Sequence, residues 1–327
     1  MIVPKYWAEA RARQERGKGR RQITVRRFGW SDTSLADAQA MAQKRAEEAL
    51  IAAATGKRLP RSEPRRGYNG AAGVPIREEI LAHHGDAVVT RNSYGAHCLN
   101  TPDVIFADID FNSSPSSKKV VLHALVLVLV AALICAQHRS GLMIGISALA
   151  VLILSYPFAA LTSKAAIAAR GGTERWAISR LRSFGAGSPD WNLRIYRTPA
   201  GLRVLVMNRT SAPSNPEVAR LFAALNVDPV YARMCVNQDC FRARISPKPW
   251  RMGIATHMKP RPGHWPVKPN RLPIRQAWIA DYEKKAAAFA SCKFVEQIGS
   301  SFVDSKAEKV RAIHDQACKA LSSLEIA

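Results

Sequence analysis

Two apolar runs in close succession, residues 120–136 and 142–161, limit what this chain can fold into more than any other feature. At about 1.5 Å of rise per residue, each is long enough to cross a hydrocarbon core of ~30 Å as a helix. A soluble surface helix keeps a polar side, and residues 125–134 have none. The polar interruptions are His123 near one end and Ser147, Ser155 and Pro157 in the second run. Small and hydroxylated residues suit helix–helix contact in lipid, and proline near a helix end is tolerated there. Between the runs, Gln137-His138-Arg139-Ser140-Gly141 reads as a tight polar turn. The pattern predicts a transmembrane helical hairpin over 118–163, against the alternative of a buried hairpin inside a soluble domain.

Basic residues near the ends set the expected orientation. Lys118 and Lys119 precede the first run, Lys164, Arg170, Arg175 and Arg180 follow the second, and the turn holds only Arg139. Both flanks, and so both termini, are expected on the cytoplasmic side. The first apolar run begins far from the N-terminus, so no cleavable signal peptide is expected.

Charge bears on the partner. The 48 Lys+Arg against 25 Asp+Glu leave a formal charge of +23 and a pI near 10.3. Such an excess suits a polyanion, whether nucleic acid, nucleotide phosphate or an anionic membrane leaflet. It equally suits an Arg-rich protein merely held at a membrane. The cysteines at 98, 135, 235, 240, 292 and 318 form no CxxC, which excludes a familiar redox motif and agrees with a reducing compartment. Cys235, Cys240, His257 and His264 make at most a loose zinc set, and buried thiols are the expectation for them.

The chain divides into five regions. Residues 1–74 form a basic N-terminal region with a strand at 23–28 and a helix from Ser34, capped by Ser34 and Asp37, to about Ala54. Residues 75–117 begin an α+β domain: a short helix over 76–83 started by Pro75, then strands at 87–90, 96–99 and 104–111. The hairpin at 118–163 interrupts it, and 164–259 resumes it with an amphipathic helix over 165–184. Strands at 193–197 and 202–206, a helix from Pro216 and a strand at 239–245 complete that part. Residues 260–327 read as a Pro-rich linker followed by helices at 274–294 and 305–323. The Gly-rich 69–73 precedes no strand–helix phosphate loop and reads as a turn. His83 and His84 read as a helix end.

With the hairpin set aside, the order from residue 104 onward is β-α-β-β-α-β. That is the ferredoxin-like order of RNA-recognition and polymerase-palm domains, with its first and third strands side by side. Asp108-Ile109-Asp110 puts two carboxylates on one face of a strand, where they can hold Mg²⁺ or Mn²⁺ carrying a triphosphate. A third acid on a neighbouring strand would complete a two-metal arrangement. Arg203, Arg242, Arg244, Lys248 and Arg251 supply cations for phosphate, the arginines bidentately.

These residues carry a resemblance. Asp108-Ile109-Asp110 resembles the metal-binding motif of archaeo-eukaryotic primase-polymerases. Thr198-Pro199-Ala200-Gly201-Leu202-Arg203-Val204 is similar to their second motif, with Arg203 where that family has histidine. Gln238-Asp239 with Arg242, Arg244 and Lys248 resembles their third. The resemblance covers residues 104–120 and 191–251 and implies metal-dependent nucleotidyl transfer. Phe106-Ala107-Asp108-Ile109 also resembles the first strand of class III nucleotide cyclases, but those need an acid in the hairpin, and 194–207 contains none. As a whole the chain resembles an uncharacterised family of bacterial membrane proteins, which implies the inner membrane and supplies no activity.

Three readings follow. The first is an inner-membrane-anchored, palm-like domain that binds nucleic acid or nucleotide, with or without surviving catalysis. The second is an active metal-dependent nucleotidyltransferase. The third is a scaffold whose basic faces touch anionic lipid or an acidic partner. In a chain this basic, Asp108 and Asp110 could also be structural, paired with local arginines. Trp250, Trp265 and Tyr282 either pack under the Pro-rich coil or stack bases.

Overall fold

The computed structural model describes residues 4–14, 22–57, 59–63, 74–111, 115–138, 141–261, 263 and 265–327. The stretch 69–73, the centre of the turn at 139–140 and His264 lie outside them. Among the described residues the architecture is mixed α+β, with three antiparallel sheets and eight α-helices, two of the helices long and apolar.

At the N-terminus, β1 (Tyr6–Gln14) pairs with β2 (Ile23–Ser31), and α1 (Leu35–Ala54) packs across them through Ala38, Ala42, Ala46 and Ala49. Ser34 Oγ accepts from the Asp37 amide, the expected N-cap, and donates to the Asp37 carboxylate, while the Ser34 amide donates to Ser31 Oγ, so the second half of the capping box is replaced. Tyr6–Gln14, ahead of the strand expected at 23–28, is thus strand as well. Alanine on the inner helix face allows close approach, and Gly29 lies where a Cβ would overlap the Ala38 carbonyl.

The central sheet holds β6 (Val104–Asp110), β7 (Asn192–Thr198), β8 (Gly201–Thr210) and β10 (Lys293–Gly299), in the order β10-β7-β8-β6. Its inner strand β8 and the apolar half of β6 are almost wholly buried, β7 is buried at Leu193, Ile195 and Tyr196, and the edge strand β10 is only partly buried. On one face lie α4 (Thr173–Gly187) and α5 (Pro216–Leu225), the latter through Val218, Leu221, Phe222 and Leu225. On the other lies α8 (Ser305–Cys318), whose His314 meets the rings of Phe106 and Tyr196.

A further sheet, β3-β4-β5-β9, comprises β3 (Glu79–His84), β4 (Ala87–Arg91), β5 (His97–Thr101) and β9 (Phe241–Arg244). α7 (Leu272–Ala286) packs beside it through Trp278 and Tyr282, which stack 5.5 Å apart. The remaining helix, α6 (Pro229–Gln238), runs from α5 toward β9.

Several expectations change. Residues 76–83 do not form a helix, because the backbone of 79–84 pairs with β4 as a strand whose Ile80 and Leu81 stay exposed. His83 and His84 end that strand, exposed. The helix expected over 165–184 is cut at Gly171 and Gly172, whose φ values of 82° and 96° stop α3 and let α4 start afresh. The helix expected over 274–294 ends at Ala286, and residues 293–299, unassigned beyond 294, form a strand, so 260–327 supplies a sheet edge and α8 to the central core. The ferredoxin-like order survives in part. β6, β8 and β7 lie in the order first-third-second, but the fourth strand, β9, pairs with β5 instead of β6. Arg242 on β9 binds Glu78 and Asn100 of the other sheet, which holds it there.

Between β6 and α4 the chain forms α2 (Ser117–His138) and α3 (Gly141–Ala169), with mean hydropathies of 2.6 and 2.1 over their apolar spans. They pack against each other antiparallel. His123 meets Thr162 at 3.1 Å, Lys119 meets Ser163 at 3.4 Å, and Cys135 meets Ser147 at 3.6 Å. Their leucines and isoleucines are otherwise exposed, so these are not core helices of a soluble body.

The β6–β8 pairing is tightest at Gly201, opposite Asp110, where a Cβ would overlap the Ile109 carbonyl. Gly201→Ala is expected to cost about 1–3 kcal/mol, read as a lower Tm of the full chain in detergent. An unchanged Tm would show that this strand pair is not held as described.

Candidate functional site

Where the two sheets meet, a cleft of about 680 Å³ opens over the end of β6. Alternation along β6 turns Phe106, Asp108 and Asp110 to this side, while Ile105, Ala107 and Ile109 face α4 and α5. The cleft gathers Asp108, Asp110, Arg203, Arg242, Arg244, Lys248 and Arg251, seven of the eight residues expected from sequence. Asp239 is not among them. It occupies the left-handed C-cap of α6 with φ 48°, exposed and away from the cleft lining. The third acid in the cleft is Asp228.

Asp228 was missed by sequence reading, though the signal was there. Asp228-Pro229 is an N-cap followed by proline at the first helical position. Its carboxylate accepts from the amides of Val230 and Tyr231, and its own amide donates to the Asp108 carbonyl at 3.1 Å. The start of α6 is thereby tied to β6.

The cations are of two kinds. Arg203 and Arg242 are structural. Arg203, only 2 % exposed, donates from Nε to Asp108 at 2.9 Å and from Nη1 to the Arg244 carbonyl at 2.7 Å. Burial opposes its charge, but Asp108 more than offsets this and raises its pKa. Arg242 donates to both oxygens of Glu78 at 2.7 Å and to Asn100 at 3.0 Å. Both forks are filled by the protein.

Arg244, Lys248 and Arg251 differ. Among the described residues none of them forms an ion pair with a carboxylate. Arg244 donates to the Ser246 carbonyl, and Arg251 buries an Nη1 that has no hydrogen-bond partner. Loss of hydration, then mutual repulsion, with Arg244 pressing on both neighbours, lowers the pKa of Lys248 and of Arg251. Beside them Trp250 stands 55 % exposed, 5.2 Å from the Tyr94 ring and beneath Lys248. Tyr282 and Trp265 do not share this position. Tyr282 is buried and bonded to Ser246 and Pro247, while Trp265 carries the Arg275 guanidinium.

The acids do not form the two-metal arrangement. Asp108 is spent on Arg203. No group containing Asp108, Asp110, Asp228 or Asp239 brings three ligand atoms within 4.8 Å of one another among the described residues. Partial loss of hydration, and then the Asp108 and Asp228 charges, raise the pKa of Asp110 against the pull of Lys248 and Arg251. Cys235 and Cys240 are buried thiols and His257 is exposed, so the loose zinc set does not assemble.

Comparison with protein-family models, with curated proteins and with solved structures finds no match for this chain. Its class therefore stands on the structure alone: a mixed α+β protein with two helices long and apolar enough to cross a membrane.

A raised carboxyl pKa means that the folded chain holds the proton more tightly than the unfolded one. Stability is then gained as pH falls through the raised pKa, and the charged form costs stability above it. Asp110→Asn is expected to raise Tm by about 1 °C at pH 7.5, a small effect because the group is exposed. The difference should vanish at pH 3.5. A lower Tm at pH 7.5 would show Asp110 to be a stabilising charge.

Proposed function

We propose that this is a membrane-anchored protein whose cytoplasmic α+β body binds the phosphates of a nucleotide or nucleic acid in the cleft, without catalytic metal ions. The observation that carries this is the group Arg244, Lys248 and Arg251. Three cations are crowded together with no ion pair to a carboxylate among the described residues, Asp110 being a charge that favours Lys248 and Arg251, and one buried Nη1 lacks an acceptor. Burying unpaired charge is costly, and a bound phosphate would supply the missing acceptors. Trp250 and Tyr94 add an aromatic wall at stacking distance for a base. Asp110 and Asp228 across the cleft would select against a ligand carrying negative charge on that side, and suit donors such as a ribose or base amino group.

The palm-like reading draws support from the β6-β8-β7 strand order and from the position of the carboxylates at the end of β6. Catalysis by paired metal ions draws none from Asp108, whose oxygens face Arg203. The body binds in this reading; it does not transfer nucleotidyl groups.

Binding of labelled ATP and of a labelled single-stranded oligonucleotide to the full chain in detergent tests the proposal. Lys248→Ala and Arg251→Ala are each expected to weaken binding about tenfold, as the loss of one charge-assisted contact does. Trp250→Ala should weaken base-bearing ligands and leave pyrophosphate unaffected, and Mn²⁺ should change nothing. Absence of binding at low salt, or affinity that needs Mn²⁺, would overturn it.

Membrane insertion is the second part of the proposal. It is supported by the exposed apolar surface of α2 and α3 and by the basic residues at their outer ends. An impermeant maleimide should label Ser140→Cys in intact cells. Cysteines placed at the exposed Asp32 and Lys309 should react only after lysis. Labelling at either flank in intact cells would reverse the orientation.

A further inference from the structure

Behind Arg203, on the side away from the cleft, a second cluster uses residues that the phosphate-binding reading leaves idle. Cys292 precedes β10, and His314 and Cys318 stand one turn apart on α8, hence on one helix face. All three are fully buried, and their ligand atoms all lie within 4.8 Å of one another. The Cys292 Sγ lies 3.9 Å from the His314 Nε2. We propose that Cys292, His314 and Cys318 bind a structural zinc ion in the core of this protein.

Zinc is bound at about 2.3 Å by thiolate and about 2.0–2.1 Å by imidazole, in tetrahedral geometry. Those lengths put neighbouring donor atoms roughly 3.5–3.8 Å apart, close to the observed spacing. The imidazole is already oriented for the purpose. His314 Nδ1 lies 3.1 Å from the Asp315 carboxylate, which leaves the Nε2 lone pair directed at the thiols. A carboxylate behind a histidine is the usual support of a zinc ligand. Asp315 is itself held by the Tyr196 hydroxyl at 2.6 Å, Arg194 at 2.9 Å and Arg311 at 3.0 Å.

Without an ion, Nε2 is poorly served. The Arg203 Nη1 lies at 3.5 Å and the Cys292 sulfur at 3.9 Å, both at the limit of a hydrogen bond, and the Cys318 sulfur lies within 4.8 Å. With zinc, Arg203 gives up only that long contact and keeps Asp108 and the Arg244 carbonyl. Binding one Zn²⁺ releases two thiol protons, so Zn²⁺ with two thiolates and a neutral imidazole carries no net charge into the core. Three protein donors leave one position for a solvent-derived ligand. Complete burial separates the ion from substrate, so its work is to fasten β10 and α8 under the sheet and hold Arg203 from behind.

The full chain, purified in detergent without chelator and equilibrated with micromolar zinc, should hold about one zinc per chain by elemental mass spectrometry. Exchange for Co²⁺ should give thiolate-to-cobalt charge-transfer bands and intense tetrahedral d–d bands. Cys318→Ser and His314→Ala should lower zinc content at least about fivefold, while Cys240→Ser, a buried thiol outside the cluster, should retain it. Because the variants can fail to fold, the unaltered chain decides. Substoichiometric zinc after equilibration, a cobalt spectrum without thiolate bands, or a Cys292–Cys318 disulfide in its mass would each overturn the proposal.

Discussion

The guanidinium of Arg203 is buried at the point where the two larger sheets and α8 converge, and much of the structure is arranged around keeping it there. A charge taken out of water costs several kcal/mol unless its donors are met. Here Asp108 directly opposite on β6, the Arg244 carbonyl on β9 and the flank of His314 surround it. The pairing has three consequences. It specifies the β6–β8 register, since a slip of one residue would turn Asp108 to the other face. It links the central sheet to the neighbouring one through Arg244. It also occupies the carboxylate that a catalytic metal ion would need.

Charge in the cleft is segregated accordingly. Arg203 and Arg242 are enclosed by acceptors from the protein and stabilise the junction between sheets. Arg244, Lys248 and Arg251 are left crowded on the far wall, facing Asp110 and Asp228 across the opening. Arginines only two residues apart on one short strand, Arg242 and Arg244, thus have different parts. One meets Glu78 inside the body and the other lines the cleft beside Lys248.

The long apolar helices enter between β6 and α4 without disturbing the sheet, because the insertion returns close to where it leaves. Lys119 at the start of α2 lies against Ser163 near the end of α3, and the glycine pair at 171–172 redirects the chain into α4. Strand β6, short of a sequence neighbour, is satisfied by β8 from beyond the insertion.

The sequence by itself determined what depends on neighbours along the chain. The two apolar helices follow from unbroken runs, α1 from its Ser34–Asp37 cap, α5 from Asn215-Pro216 and a four-residue apolar face, and β6 to β8 from continuous apolar stretches around a tight turn. Seven of the eight expected site residues gather in one cleft: alternation along β6 and β9 already put Asp108 with Asp110 and Arg242 with Arg244 on one face each, while Arg203, Lys248 and Arg251 join them through β8 and the segment after β9. Tertiary structure alone decided what depends on distant partners. Residues 79–84 became strand because β4 offered an edge, over a local preference read as helical through 83, and 293–299 because β7 did, where the sequence marked no strand. Asp228 replaced Asp239 in the cleft because the start of α6, not its end, is bonded to β6. Whether an arginine is free for a ligand or consumed by the fold cannot be read along the chain, since Glu78 and Asp108 lie 164 and 95 residues from the arginines they hold. Cys292, His314 and Cys318 carry no recognisable spacing in sequence, for they meet only when β10 closes the sheet edge and α8 covers it.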